Sequence, residues 1–274
     1  MFTYVKSNGV GYYYSTLLKS THAFSTRKGG VSPSPYTSGL NLAFGRGDED
    51  ATVLQNLRLL ASAAGVDAER VISLPQVHGT QVLTVTEADA GRGYTKPANG
   101  TGDGYMTLEG GVPLGVKSAD CVPVLLEARD ADGRVLAVAA VHAGWRGTAG
   151  GIVVNAVKAL RHACGDAEIY AAIGPCIRFC CFEVDKDCVD EFDRLCGREI
   201  VDACFIRAQN GKSYGDLVKV NRMLLHSAGV DDAHIDAADI CTCCHPDRFF
   251  SHRYATKHHD GKRGTMLSVI WKSK

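Results

Sequence analysis

Apolar residues along this chain recur with two different periods. Over residues 48–65, Val53, Leu54, Leu57, Leu60, Ala61 and Ala64 fall at helical spacing between an acidic start and a glycine stop, which predicts an amphipathic helix. Residues 81–86 alternate apolar and polar side chains as a strand does, whereas residues 91–104, crowded with Gly, Pro and Asn, read as an exposed loop. Strands are expected at 111–116, 121–128 and 134–141, the last two joined by the turn Asp130-Ala131-Asp132-Gly133. The run 148–164 carries Ile152, Val153, Ala156, Val157 and Leu160 on one helical face and stops at Gly165. A strand at 168–173, helices at 185–196 and 216–228, and strands near 235–240 and 265–271 complete the pattern. Strands and helices mix without strict βαβ alternation, so the class is α/β with layered, mixed sheets, not a Rossmann fold or a barrel. No repeat or low-complexity tract divides the chain, and it reads as one domain over residues 1–274.

Composition narrows the partners. A chain that is 45% apolar can bury a large core. Thirty basic residues balance thirty acidic ones, leaving no field to draw in nucleic acid or an anionic membrane, so a small molecule is the expected partner. The start, Met1-Phe2-Thr3-Tyr4-Val5-Lys6, lacks the features of a secretory signal, and a cytoplasmic location is expected. The eleven cysteines, odd in number and without an export signal, then read as reduced thiols.

Three metal-binding side chains sit where a predicted strand meets a loop. They are His78 in Gln76-Val77-His78-Gly79, Cys121 in Ala119-Asp120-Cys121, and His142 in His142-Ala143-Gly144-Trp145-Arg146-Gly147. Two imidazoles and a thiolate leave a fourth tetrahedral position open, as in catalytic zinc sites, and copper could occupy the same donors. Their long sequence intervals mean that only the fold can bring them together. Without a metal, the same residues suit a cysteine hydrolase or amidase with Cys121 as nucleophile and His142 or His78 as base. A third reading is a factor that only binds a nucleotide-linked cell-wall precursor.

These motifs, with Phe24-Ser25-Thr26-Arg27-Lys28-Gly29-Gly30-Val31-Ser32, Ile173-Gly174-Pro175-Cys176-Ile177, Cys241-Thr242 and Phe249-Phe250-Ser251-His252-Arg253, closely resemble the YfiH family. That family is also called the multicopper polyphenol oxidase or laccase domain family, and it includes the bacterial peptidoglycan editing factor. The resemblance spans nearly the whole chain. It implies a four-layer α-β-β-α sandwich and a zinc site at His78, Cys121 and His142. It also implies phosphorolysis of adenosine, inosine, guanosine or methylthioadenosine, and deamination of adenosine. His252 departs from the pattern, since the family more often places Tyr before the Arg.

The residues can be matched to that chemistry. Deamination needs a hydroxide aimed at the purine C6, which a zinc ion with an open position supplies, and Asp120, beside the thiolate, is the acidic candidate there. Phosphorolysis needs inorganic phosphate held beside the ribose, for which the helix start expected near Thr148 offers N–H groups and Arg27 and Arg146 offer planar forks. Gly29, Gly30, Gly144 and Gly147 suit close backbone approach to substrate, and Trp145 could stack on a purine. A multicopper oxidase would need paired His-x-His segments, and the only close pair is His258-His259. The cluster Cys241-Thr242-Cys243-Cys244-His245 with Cys176, Cys180 and Cys181 suggests a second metal site, weighed against simply packed or surface thiols.

Overall fold

The computed structural model describes residues 1–273. It opens with three strands that hydrophobic alternation alone does not announce, β1 (Phe2–Ser7), β2 (Val10–Ser15) and β3 (Thr21–Ser25). The helix α1 (Asp50–Ala64) follows and ends at Gly65, whose φ of 72° lets its N–H reach the Ala61 carbonyl. Then come β4 (Val82–Thr84), β5 (Gly104–Thr107), β6 (Leu114–Ser118), β7 (Val122–Arg129) and β8 (Val135–Ala143). Next are α2 (Trp145–Ala149), α3 (Ile152–Cys164), β9 (Glu168–Ile173), β10 (Glu183–Val184), α4 (Lys186–Cys196) and α5 (Arg198–Cys204). The last part holds β11 (Phe205–Arg207), β12 (Ser213–Gly215), α6 (Leu217–Ser227), β13 (Ile235–Ala237), α7 (His252–His258) and β14 (Met266–Trp271).

The strands form a mixed α/β assembly of three sheets, ordered β1-β2-β3-β14-β6, β13-β9-β7-β8-β5-β4, and the small β10-β12-β11. In the six-stranded sheet β13 with β9 and β4 with β5 run parallel and the central pairings are antiparallel. The period of two sorts side chains between cores. Leu125, Val138, Ala140 and Ala172 of that sheet share one core with Phe24, Leu114, Val116 and Ile270 of the five-stranded sheet. Val124, Leu126, Ala139 and Val141 turn the other way, against Ile152, Val153, Ala156 and Leu160 of α3 and Leu217 and Leu225 of α6. On the far side of the five-stranded sheet, Val10 and Leu267 pack with Val53, Leu57 and Leu60 of α1. The two sheets therefore share an apolar layer, and each carries helices on its other face.

One predicted element is two. The helix expected over 148–164 breaks at Gly150–Gly151, where Gly151 takes φ 78°, so α2 begins at Trp145 after Gly144 and α3 begins at Ile152. Thr148, expected at a helix start, lies buried inside α2 with its N–H already donated to the Gly144 carbonyl at 2.7 Å. Among the described residues, no helix is long and apolar enough to cross a membrane.

Candidate metal centre and active site

The ends of β7 and β8 and the loop before β4 meet at one point. His78 sits in that loop at φ 60°, an unusual conformation for a residue other than glycine. It is held there because the N–H groups of Val77, His78 and Gly79 all donate to the Asp103 carboxylate, at 3.0, 2.9 and 2.8 Å. The same carboxylate accepts His142 Nδ1 at 2.8 Å, and the Asp103 carbonyl accepts the His142 N–H at 2.7 Å. Because a carboxylate only accepts, Nδ1 carries the proton and Nε2 of His142 is left as a ligand atom, the arrangement that usually orients metal-binding histidines. Cys121 leads into β7 after Asp120, whose φ of 100° turns the chain sharply.

The three donor atoms lie within 4.8 Å of one another, with Cys121 Sγ 3.9 Å from His78 Nε2. Sulfur and nitrogen ligands on a tetrahedral zinc stand about 3.6 Å apart, from bonds of about 2.3 and 2.05 Å. The donor set therefore fits such an ion with little movement. Gly144 closes the cradle: a Cβ there would come within 2.6 Å of His78 Cδ2 and 3.4 Å of Cys121 Sγ. Burial alone would raise the Cys121 thiol, but hydrogen bonding and charge from His142, and then from His78, bring its pKa down to about 6. Burial would lower His142, yet Asp103 and Cys121 raise it to about 9. Thiolate and imidazolium stabilise each other here, and a bound cation would take the place of the His142 Nε2 proton.

His78 and Cys121 open onto a cavity of about 770 Å³, lined also by Val77, Trp145, Arg146, Ile177, Phe182 and His252. That volume suits a nucleoside-sized ligand. The Arg146 guanidinium lies over the Trp145 ring at 4.1 Å and donates no hydrogen bond to, and forms no ion pair with, a described residue, so its donors remain for a ligand. One face of the indole is thereby covered by the guanidinium.

Other candidates are placed differently. Arg27 lines a separate cavity and is engaged by the Ser38 and Pro246 carbonyls, with its guanidinium over Phe250. Gly29 and Gly30 are near it, and what they admit is the chain itself: a Cβ would strike the Gly9 and Gly39 carbonyl oxygens at 2.2 Å. Gly147 likewise lets α2 approach the Gly79 carbonyl. Asp120 borders the main cavity, but its oxygens accept from Thr242 Oγ1 at 2.6 Å, Ser251 Oγ at 2.9 Å and the Arg253 N–H at 2.7 Å. These bonds tie the C-terminal segment to the base of Cys121. Sequence reasoning missed Asp103, whose one signal was an acidic residue between two glycines in a segment read as exposed loop. In fact it is 1% exposed.

An enzyme with an open cleft, beside which three side chains could hold a metal ion, is the class to which this fold and site point. Residues 21–273 match the family model described as multi-copper polyphenol oxidoreductase laccase, and the chain belongs to that family. A Geobacillus stearothermophilus protein named purine nucleoside phosphorylase YlmD is 37% identical over 250 residues, which cover 90% of this chain and 88% of its own length. A protein from an unknown prokaryotic organism, named adenosine deaminase RL5, is 32% identical and covers 88% of this chain and 91% of its own. The crystal structure of the hypothetical protein YfiH from Bacillus licheniformis superposes with a TM-score of 0.87 at 30% identity, over 98% of this chain and 99% of that one.

Proposed function

We propose that this chain is a zinc-dependent purine nucleoside enzyme that cleaves adenosine, inosine, guanosine or methylthioadenosine with inorganic phosphate and also deaminates adenosine. The observation that carries the proposal is the convergence of His78, Cys121 and His142, the first two at the wall of a nucleoside-sized cavity and the third buried behind them, with Asp103 orienting both histidine segments. The names of the relatives support the substrate class. When bound, zinc supplies a Lewis acid and a route to hydroxide near neutral pH. Arg146, whose fork is open to the cavity, holds phosphate, while Trp145 beneath it fixes the direction of the guanidinium. Ile177, Phe182 and Val77 provide apolar surface for a base. Arg27 is left out of the phosphate role because its donors are engaged elsewhere.

The family's oxidase name finds little support in the donor sets. Among the described residues only two groups of His, Cys, Asp or Glu bring ligand atoms together, this one and a cluster of four cysteines. His258 and His259 instead contact Tyr254 and Tyr36.

One observation favours a second reading: Cys121, His142 and Asp103 stand in the order nucleophile, base and orienting carboxylate. A hydrolase of that kind has no use for His78 as a further donor at 3.9 Å from the sulfur. Alkylation separates the two. In zinc-loaded protein, peptide mapping after iodoacetamide treatment should show Cys121 protected until a chelator is added. Rapid labelling of Cys121 in protein shown to hold zinc, with activity lost in step, would favour the hydrolase.

A further inference from the structure

Eleven cysteines are more than one metal centre employs, and four of the others have gathered. Cys180 and Cys181 lie in the segment after β9, and Cys241 and Cys244 in the segment after β13. Their four sulfurs all lie within 4.8 Å of one another, and Cys244 Sγ is 3.5 Å from Cys180 Sγ and 3.4 Å from Cys181 Sγ. Four thiolates on a tetrahedral zinc ion are separated by about 3.8 Å, from a Zn–S bond of about 2.3 Å. A disulfide would need about 2.05 Å between one pair. The set is thus spaced as ligands around a common centre, not as one bonded pair with two bystanders.

The backbone is arranged for the same purpose. Cys241-Thr242-Cys243-Cys244 has the C-x-x-C spacing of a zinc knuckle. Cys180 and Cys181 are adjacent, a spacing that no standard module uses. A tight turn in which the Cys181 and Phe182 N–H groups both reach the Arg178 carbonyl carries the two side chains to the knuckle. The two segments are already joined by the bridge between Cys176 and Cys241 and by the Thr242 N–H to the Cys176 carbonyl at 2.9 Å.

We propose that Cys180, Cys181, Cys241 and Cys244 form a second, structural zinc site with all four positions filled by protein. Its place in the fold gives it a task. Ile177 and Phe182, on either side of the first cysteine pair, line the main cavity, and so do His252 and Arg253, which follow the second pair. Arg253 spans the junction by donating to the Cys181 and Glu183 carbonyls at 3.0 and 2.8 Å. An ion here fastens two walls of the cavity together behind Asp120, without reaching the ligand itself.

Metal content tests this independently of turnover. Protein prepared under reducing conditions without added metal should hold two zinc equivalents per chain. The double substitution Cys180→Ser with Cys244→Ser should leave one, and His78→Ala should also leave one, from the other site. Cobalt-substituted His78→Ala protein should show the intense visible bands of tetrathiolate coordination. Should the serine variant not fold, wild-type protein decides: Cys180 and Cys244, both exposed, should resist alkylation until a chelator is added. One equivalent in the wild type that is lost with His78→Ala would overturn the proposal and spare the catalytic site. A 2 Da mass deficit with Cys244 linked to Cys180 or Cys181, or ready alkylation of these thiols in metal-loaded protein, would overturn it too.

Discussion

Asp103→Asn is the substitution through which the structure can be pressed hardest. Four N–H donors converge on this buried carboxylate: His78 N and His142 Nδ1 on one oxygen, Val77 N and Gly79 N on the other. Asparagine is nearly the same size but keeps only one acceptor oxygen and presents an amide N–H₂ where the other stood. Whichever way it flips, two of these donors face a donor. A fully buried unsatisfied group costs about 1–3 kcal/mol, and because only the His142 donor is fully buried while the loop N–H groups are part-exposed to water, the loss of stability should be on the order of 1–3 kcal/mol. If the amide oxygen serves Val77 and Gly79, His142 loses the bond that fixes its tautomer. If it serves His142 and His78, the loop that keeps His78 at positive φ loosens. Either outcome should weaken zinc by about 10- to 100-fold. Urea unfolding and chelator competition, run beside the exposed control Asp132→Asn, measure the two effects. An Asp103→Asn protein that binds zinc and unfolds like the wild type would refute the reasoning.

Gly144→Ala places a methyl group 2.6 Å from His78 Cδ2, so zinc affinity should fall by at least about 10-fold, of the size expected from misplacing a ligand, while far-ultraviolet circular dichroism stays unchanged. Arg146→Ala should raise KM for phosphate by roughly 10-fold or more, the equivalent of one charge-assisted bond, with zinc content unaltered. An equal loss for nucleoside and phosphate in initial-rate measurements would remove its assignment to the anion. Burial lowers the Lys117 pKa from 10.5 to about 8. Between those values the folded chain holds fewer protons than the unfolded chain, so stability rises with pH through that window, and below it the cost is fully present. The stability gap between wild type and Lys117→Met, from urea unfolding, should be flat below about pH 8 and move in favour of the wild type up to about pH 10.5. Parallel curves would show that the amine is not desolvated.

Much of this architecture is legible in local pattern. α1, α4 and α6 lie within a residue or two of their predicted bounds, because apolar periodicity, Asp185 and Asp216 at the starts, and Gly65 and Gly197 at the ends all act locally. The buried central strands β7, β8 and β9 are similarly plain. The break between α2 and α3 escapes the pattern because apolar spacing continues across Gly150–Gly151 while the backbone does not. At the site, ligand chemistry and motif context identify His78, Cys121 and His142 as candidates, but their convergence depends on Asp103. No local signal states that four donors from two distant segments meet there. Arg27 shows the converse problem: a guanidinium in a glycine-rich motif looks free for an anion, and only the folded chain brings it the Ser38 and Pro246 carbonyls.

The central claim is that the three-donor centre and phosphate act together on a nucleoside. The most direct measurement follows inosine turnover in chelator-stripped protein as zinc is restored, with and without inorganic phosphate. Free base and ribose 1-phosphate should appear in step with zinc occupancy, only when phosphate is present, and not in the Cys121→Ser variant. Undiminished base release from the stripped protein, or equal rates without phosphate, would contradict the account.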